Sequence, residues 1–215
     1  MQMPTPDAGL LARRDEIVAA LRALVPGEGV ISSAPELRAY ECDALTAYRT
    51  TPLAVVLPTT TGEVSRLLAY AKSAGVKIVP RGAGTSLSGG SLPLADGIVL
   101  GMSRFNRILE IDYDNLCVVT QPGVTNLAIS EAVAAQGFYY APDPSSQIAC
   151  SIGGNVAENS GGVHCLKYGM TTNNLLGVEM VLPDGEVVRL GGKSFDSGGL
   201  DLLGVVTGSE GLLGW

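Results

Sequence analysis

PRGAGTSLSGG, Pro80 to Gly90, directly follows the apolar run VKIV at Val76–Val79, and its reading decides the fold. Four glycines, an arginine and three hydroxyl residues are poor core material but well suited to holding an anion. Without Cβ atoms the backbone approaches a ligand closely, and successive N–H groups can point into one concavity around phosphate oxygens. Arg81, Thr85, Ser86 and Ser88 add side-chain donors. The competing reading is a surface loop that only connects two elements. Neither common nucleotide motif fits. Leu87 stands where a Rossmann fingerprint needs its third glycine, and no lysine occurs between Lys77 and Lys167 to complete a Walker pattern.

The residues before the loop place it. LAVVL at Leu53–Leu57 is a short apolar strand, and a helix follows in which Thr60 and Glu63 have capping-box spacing and Gly75 provides the stop. VKIV is the next strand, so the unit reads strand, helix, strand, with a parallel pair and a right-handed crossover. The glycine loop therefore leaves the carboxyl end of a parallel strand, where open α/β sheets bind ligands. Further upstream, Ile17, Val18, Leu21, Leu24 and Val25 share one face of a covering helix that ends at Pro26-Gly27. Pro35 opens a second short helix, and residues 41–50 are polar and irregular.

Downstream, Ile98–Ser103, Arg107–Asp112 and Leu116–Gln121 are short strands whose close spacing predicts antiparallel pairing. A helix is expected from Val124 to Gln136, capped by Thr125 and stopped by Gly137. Ala141–Gly169 is the longest stretch without a clear period, and a loop of that length in a compact domain is functional or disordered. Disorder fits badly, because Ile148, Ile152, Val156, Val163 and Leu166 alternate with the glycines. Val178–Leu190 is a hairpin turning at Asp184-Gly185, and a third glycine cluster closes the chain. The expected organisation is a helical segment over 1–50, a βαβ lobe over 51–96 and a second α+β lobe over 97–215.

Composition narrows the partners. A net charge of -7 over 215 residues, without a basic run, argues against nucleic acid or an anionic membrane surface. The amino terminus lacks the apolar core of a signal peptide and no segment is long enough to span a bilayer, so the expected location is the cytoplasm. Cys42, Cys117, Cys150 and Cys165 have no CxxC pair, which suggests neither a disulfide framework nor a zinc site.

Four segments together, YECDALTAYRT (Tyr40–Thr50), PRGAGTSLSGGSLPL, YYAPDPSSQIACSIGGNVAENSGGVHCLKYG and TGSEGLLG, resemble the FAD-linked subunits of bacterial glycolate oxidase within the vanillyl-alcohol oxidase type of flavoproteins. The resemblance implies a PCMH-type FAD-binding domain of α+β class, built from two lobes. It implies that Arg81, Gly82, Ala83, Gly84, Thr85, Ser86 and Gly89 belong to the pyrophosphate loop. Pro142, Asp143, Ser145 and Ser146, with Gly153, Gly154 and Asn155, match segments lining the dinucleotide and the isoalloxazine. Asn159, Gly161, Tyr168 and Gly169 continue that wall, and Glu210 and Gly211 match a closing segment near the adenine. No histidine lies in the loop for a covalent tether, so non-covalent FAD is expected.

For the intact system the resemblance implies hydride transfer from glycolate, D-lactate or a similar 2-hydroxy acid to the flavin N5. Electrons would then pass to an iron–sulfur partner subunit, through which the complex could associate with a membrane. Family members continue into a substrate or cap domain that carries the base, whereas this sequence stops at Trp215. The expectation is therefore the FAD-binding domain of a 2-hydroxy-acid oxidoreductase whose substrate half is absent, so that this chain alone lacks turnover. The alternative reading is a FAD-binding module or truncated fragment without turnover of its own, and a non-flavin nucleotide binder is a weaker one. No catalytic residue is assigned. His164, the single histidine, invites the reading of a base, but a hydrogen-bonded structural residue beside Cys165 fits as well or better, since nothing pairs with it in sequence, and it stays outside the catalytic set. Cys150 and Cys165 read as packing thiols, since neither has a basic setting. Lys167 is either a solvated lysine or a charge for reduced flavin.

Overall fold

The computed structural model describes residues 3–194 and 199–215. The chain divides into two compact units, the first comprising Met1–Arg104 with the short segment Val181–Glu186, the second Phe105–Met180 with Val187–Trp215.

In the first unit, helices α1 (Ala8–Ala12) and α2 (Arg14–Leu24) precede strand β1 (Val30–Ile31) and the short helix α3 (Ala34–Leu37). The buried side chains of α2 are Ile17, Val18 and Leu21, the face its periodicity predicts. Strand β2 (Ala54–Val56), helix α4 (Thr61–Ala74), strand β3 (Lys77–Arg81) and strand β4 (Gly97–Gly101) complete the unit. Thr60 caps α4 by accepting the Glu63 N–H, and the Glu63 carboxylate accepts the Thr59 N–H at 2.6 Å. Gly75 stops the helix in the left-handed region at φ 69°.

The four strands form one sheet in the order β1-β2-β4-β3. β4 is parallel to both neighbours, with Val55 beside Val99 and Val79 beside Val99 across the two ladders. Two sequence expectations are corrected here. β2 and β3 are not adjacent, because β4 lies between them, and β4 is not part of an antiparallel set. The cause is burial: every residue of GIVLG is buried, and such a strand belongs where the sheet is covered on both faces. Leu37, Val55 and Val99 form a core against Ile31, Tyr40 and Leu57.

The second unit begins with the antiparallel pair β5 (Ile108–Asp112) and β6 (Cys117–Thr120), as the spacing predicts. Helix α5 (Asn126–Val133) is capped by Thr125, whose hydroxyl accepts the Ala128 N–H, and a 3₁₀ turn ends at Gly137 with φ 81°. Helix α6 (Ile152–Glu158) and the single turn α7 (Cys165–Tyr168) follow, then strands β7 (Gly177–Val181) and β8 (Val187–Gly191) and the short helix α8 (Leu202–Val206). The stretch expected as one long loop thus contains two helical segments. Ser151 starts α6 as its N-cap, and Asn159 ends it in the left-handed region at φ 49°. Two glycines in the first turn hide this helix from propensity. Among the described residues no helix is long and apolar enough to cross a membrane.

Candidate functional site

The glycine loop leaves the end of β3 in the first unit. Arg81 closes the strand ladder, its carbonyl accepting the Met102 N–H at 3.0 Å. Its guanidinium turns toward the segment 40–44: Nη1 donates to the Cys42 carbonyl at 2.8 Å, and the charge lies 5.7 Å from the centre of the Tyr40 ring. Gly84, at φ 72°, fits against this guanidinium, and a Cβ there would come within 2.5 Å of Nη2. The Gly84 carbonyl accepts the Ala44 N–H at 3.0 Å. Arg81 therefore braces the loop from its inner side. Among the described residues the N–H groups of Gly82, Ala83, Gly84, Thr85 and Ser86 have no acceptor. Gly89, at φ 82°, closes the loop by accepting the Leu92 N–H at 3.2 Å. A run of five unpaired amides at the carboxyl end of a parallel strand is a concentrated set of donors for anionic oxygens.

The remaining candidates lie in the second unit. α6 is held beside residues 122–127: Ile152 N–H donates to the Val124 carbonyl and Gly153 N–H to the Pro122 carbonyl, both at 2.8 Å. A Cβ on Gly153 would approach Pro122 Cβ to 2.6 Å, so this glycine permits close packing. Gly154 N–H is taken by the Ser151 hydroxyl at 3.4 Å. Neither amide of the glycine pair is left free for a ligand. Asn155 is 1% exposed and its Nδ2 is buried without a partner among the described residues.

The chain terminus returns to this helix. Gly208 N–H donates to the Val156 carbonyl and Glu210 N–H to the Ala157 carbonyl, both at 2.8 Å, with Glu210 and Gly211 at φ 55° and 74°. The SIGGN segment, Asn159 and the Glu210-Gly211 pair are thus brought together. Asn159 Oδ1 accepts the Thr172 N–H at 2.9 Å.

Pro142 is buried, its carbonyl accepting from Asn126 Nδ2 at 2.9 Å; Ser145 is exposed and the Ser146 carbonyl accepts the Ala149 and Cys150 N–H groups. Asp143 supplies the pairing that sequence did not reveal. Its Oδ2 lies 2.8 Å from His164 Nδ1, and its Oδ1 accepts the His164 N–H at 3.1 Å. Gly162 passes so close to Asp143 that a Cβ would lie 1.9 Å from its carbonyl oxygen, and Gly161 stands against Cys165 Sγ. The His164 ring forms a cluster with Tyr139 and Tyr168, each 6.4 Å away, while Tyr139 and Tyr168 are 6.1 Å apart. Lys167 Nζ lies 5.0 Å from the Tyr168 ring centre. Hydrogen bonding with Tyr139 and the neighbouring Lys167 ammonium hold the Tyr168 phenol below its ordinary range. Gly169, at φ 78°, stands against the Asn173 side chain, and the Tyr168 carbonyl accepts from Asn174 Nδ2 at 3.0 Å. Tyr139, Asn126 and the Asp143–His164 pair were not singled out from sequence as site features, because their partners are distant along the chain.

FAD suits these residues. Its two phosphate charges need donors in an acidic chain, and the unpaired amides of Gly82–Ser86 are donors of the required kind that need no added cations. Asn155 Nδ2 is a buried donor awaiting an acceptor.

Comparison with known proteins points the same way. A family model described as a FAD binding domain matches residues 52–191. The glycolate oxidase subunit GlcD of Escherichia coli K12 is 56% identical over 201 residues, covering 94% of this chain and 40% of the relative. GlcD of Bacillus subtilis is 47% identical over 176 residues, covering 81% of this chain and 37% of the relative. The chain therefore spans about two fifths of the length of these relatives. Among solved structures, an alkyldihydroxyacetonephosphate synthase superposes with a TM-score of 0.80 at 23% identity, covering 100% of this chain and 43% of its own, which places the fold.

Proposed function

Since this chain belongs to the FAD binding domain family, we propose that it is the FAD-binding portion of an oxidoreductase acting on glycolate, D-lactate or a related 2-hydroxy acid. The observation that carries this reading is the run of unpaired amides from Gly82 to Ser86, together with high identity to two glycolate oxidase subunits. The first unit offers Arg81–Ser86 and Gly89 as the pyrophosphate loop. The second unit by itself offers Pro142, Asp143, Ser145, Ser146, Gly153, Gly154 and Asn155, followed by Asn159, Gly161, Tyr168, Gly169, Glu210 and Gly211, as candidate cofactor contacts. The attachment is non-covalent, as the loop holds no histidine. When bound, the flavin supplies a two-electron acceptor for the hydride equivalent leaving the carbon that bears the substrate hydroxyl. The chain's own residues would bind and orient it: the loop's backbone amides would donate hydrogen bonds to the phosphate oxygens, and Gly153 lets α6 pack closely on Pro122.

Electrons pass onward to a partner subunit carrying iron–sulfur clusters, and the complex works in the cytoplasm or at a membrane through its partners. Purified chain incubated with FAD and desalted retains flavin absorbance in this reading. Substituting Gly84 by Val, which forces a Cβ into the Arg81 guanidinium, lowers that retention at least tenfold. A colourless protein overturns the flavin reading. Bleaching of bound flavin by glycolate or D-lactate without oxygen assigns turnover to this chain, and retained but unbleached flavin assigns it a binding role only.

A further inference from the structure

Asp43 lies in the irregular segment 41–50 and is 5% exposed. Its Oδ1 accepts the Leu45 N–H at 2.9 Å, whereas its Oδ2 is buried with no hydrogen-bond partner among the described residues. Nor does any described cation stand within ion-pair distance of it. A buried carboxylate oxygen without a partner is costly, and in native proteins such an atom has a water, an ion or a ligand to meet.

Its neighbours say which. Ala44 N–H donates to the Gly84 carbonyl, and the Cys42 carbonyl accepts from Arg81 Nη1, so the residues on both sides of Asp43 are bonded to the two ends of the stretch Arg81–Gly84. The orphaned acceptor and the unpaired amides of Gly82–Ser86 thus belong to one local structure. Phosphate oxygens meet the amides and are repelled by a carboxylate, so the partner of Asp43 must be a donor lying a few bonds from the phosphates. In a dinucleotide each phosphate is esterified to a polyhydroxylated carbon chain or ring, which presents hydroxyl groups at that distance. Dinucleotide sites of the Rossmann type combine an amide cradle with an acidic residue on a ribose hydroxyl for the same chemical reason.

We infer that Asp43 Oδ2 accepts a hydrogen bond from a ribose or ribityl hydroxyl of FAD, making it a cofactor-positioning residue beside the glycine loop. The inference rests on the FAD reading above. Asp43→Asn keeps an oxygen for the Leu45 N–H but replaces the charged second acceptor by an amide. Asp43→Ser keeps a hydroxyl for that N–H and removes the second oxygen. For each variant of the 215-residue chain, the melting temperature without FAD and the FAD dissociation constant from fluorescence quenching are measured. Expected are unchanged or higher melting temperatures and a dissociation constant raised about tenfold or more, the size of a hydrogen bond to a charged group. Unchanged affinity in both variants overturns the inference, and so does affinity that falls only in proportion to lost stability. If the unmodified chain binds no FAD, the functional reading fails with it; if it binds and the variants bind equally, only the role of Asp43 fails.

Discussion

Gly162 is fixed by its neighbour rather than by its own conformation, since any Cβ would lie 1.9 Å from the Asp143 carbonyl oxygen. Gly162→Ala must push residues 160–164 away from Asp143 and part the contacts between His164 and the Asp143 carboxylate. Urea unfolding is expected to show a loss of roughly 1–3 kcal/mol. Asp96 allows a prediction in pH. Burial pushes its carboxyl up, but hydrogen bonds from the Lys77 ammonium at 2.6 Å and the Asp7 N–H at 2.9 Å outweigh burial and leave it below its ordinary range. A carboxylate depressed in the folded state adds stability above its unfolded value near 3.9, and that stability drains away as pH falls through the folded value. Melting curves from pH 7 downward should therefore show the native chain losing its advantage over Asp96→Asn only below about pH 4. The glycine-loop residues were legible from sequence as a group. The His164 partner was not, because Asp143 lies 21 positions upstream and only the return of the chain brings the two together.

Among the elements, α4 was read correctly from end to end, since its cap, its apolar face and its stop are all local signals. Thr60→Ala removes the hydroxyl that accepts the Glu63 N–H and is expected to cost about 1 kcal/mol in chemical denaturation. α6 went unread because its sequence opens with Ile-Gly-Gly, which local propensity disfavours. Packing overrides the propensity: Gly153 admits Pro122, two backbone hydrogen bonds tie the first turn to residues 122–124, and Asn159 accepts the left-handed stop. Strand β4 was recognised as a strand but assigned the wrong partners. Its apolar run fits a central parallel strand and a hairpin strand equally well, and only the non-local ladders to β2 and β3 decide between them.

At the scale of the molecule, cofactor binding should appear as stability. FAD at a hundredfold excess over its dissociation constant contributes about 2.7 kcal/mol to the folded state. For a chain of this size that raises the melting temperature by roughly 5–10 °C, measurable by thermal scanning with and without FAD; no shift at saturating FAD contradicts a specific site. The sequence by itself determined the α+β class, the βαβ unit, the glycine loop at a strand's carboxyl end and, through four motifs, the resemblance to flavoproteins. These rest on local periodicity, capping and glycine spacing, which need no distant partner. Tertiary structure alone decided the sheet order, the helix hidden at Ile152–Glu158, the return of Glu210 to that helix and the isolation of the Asp43 oxygen. Each depends on residues far apart in the chain meeting across a packed interior, where burial and unpaired hydrogen-bonding groups, rather than local propensity, set the free energy.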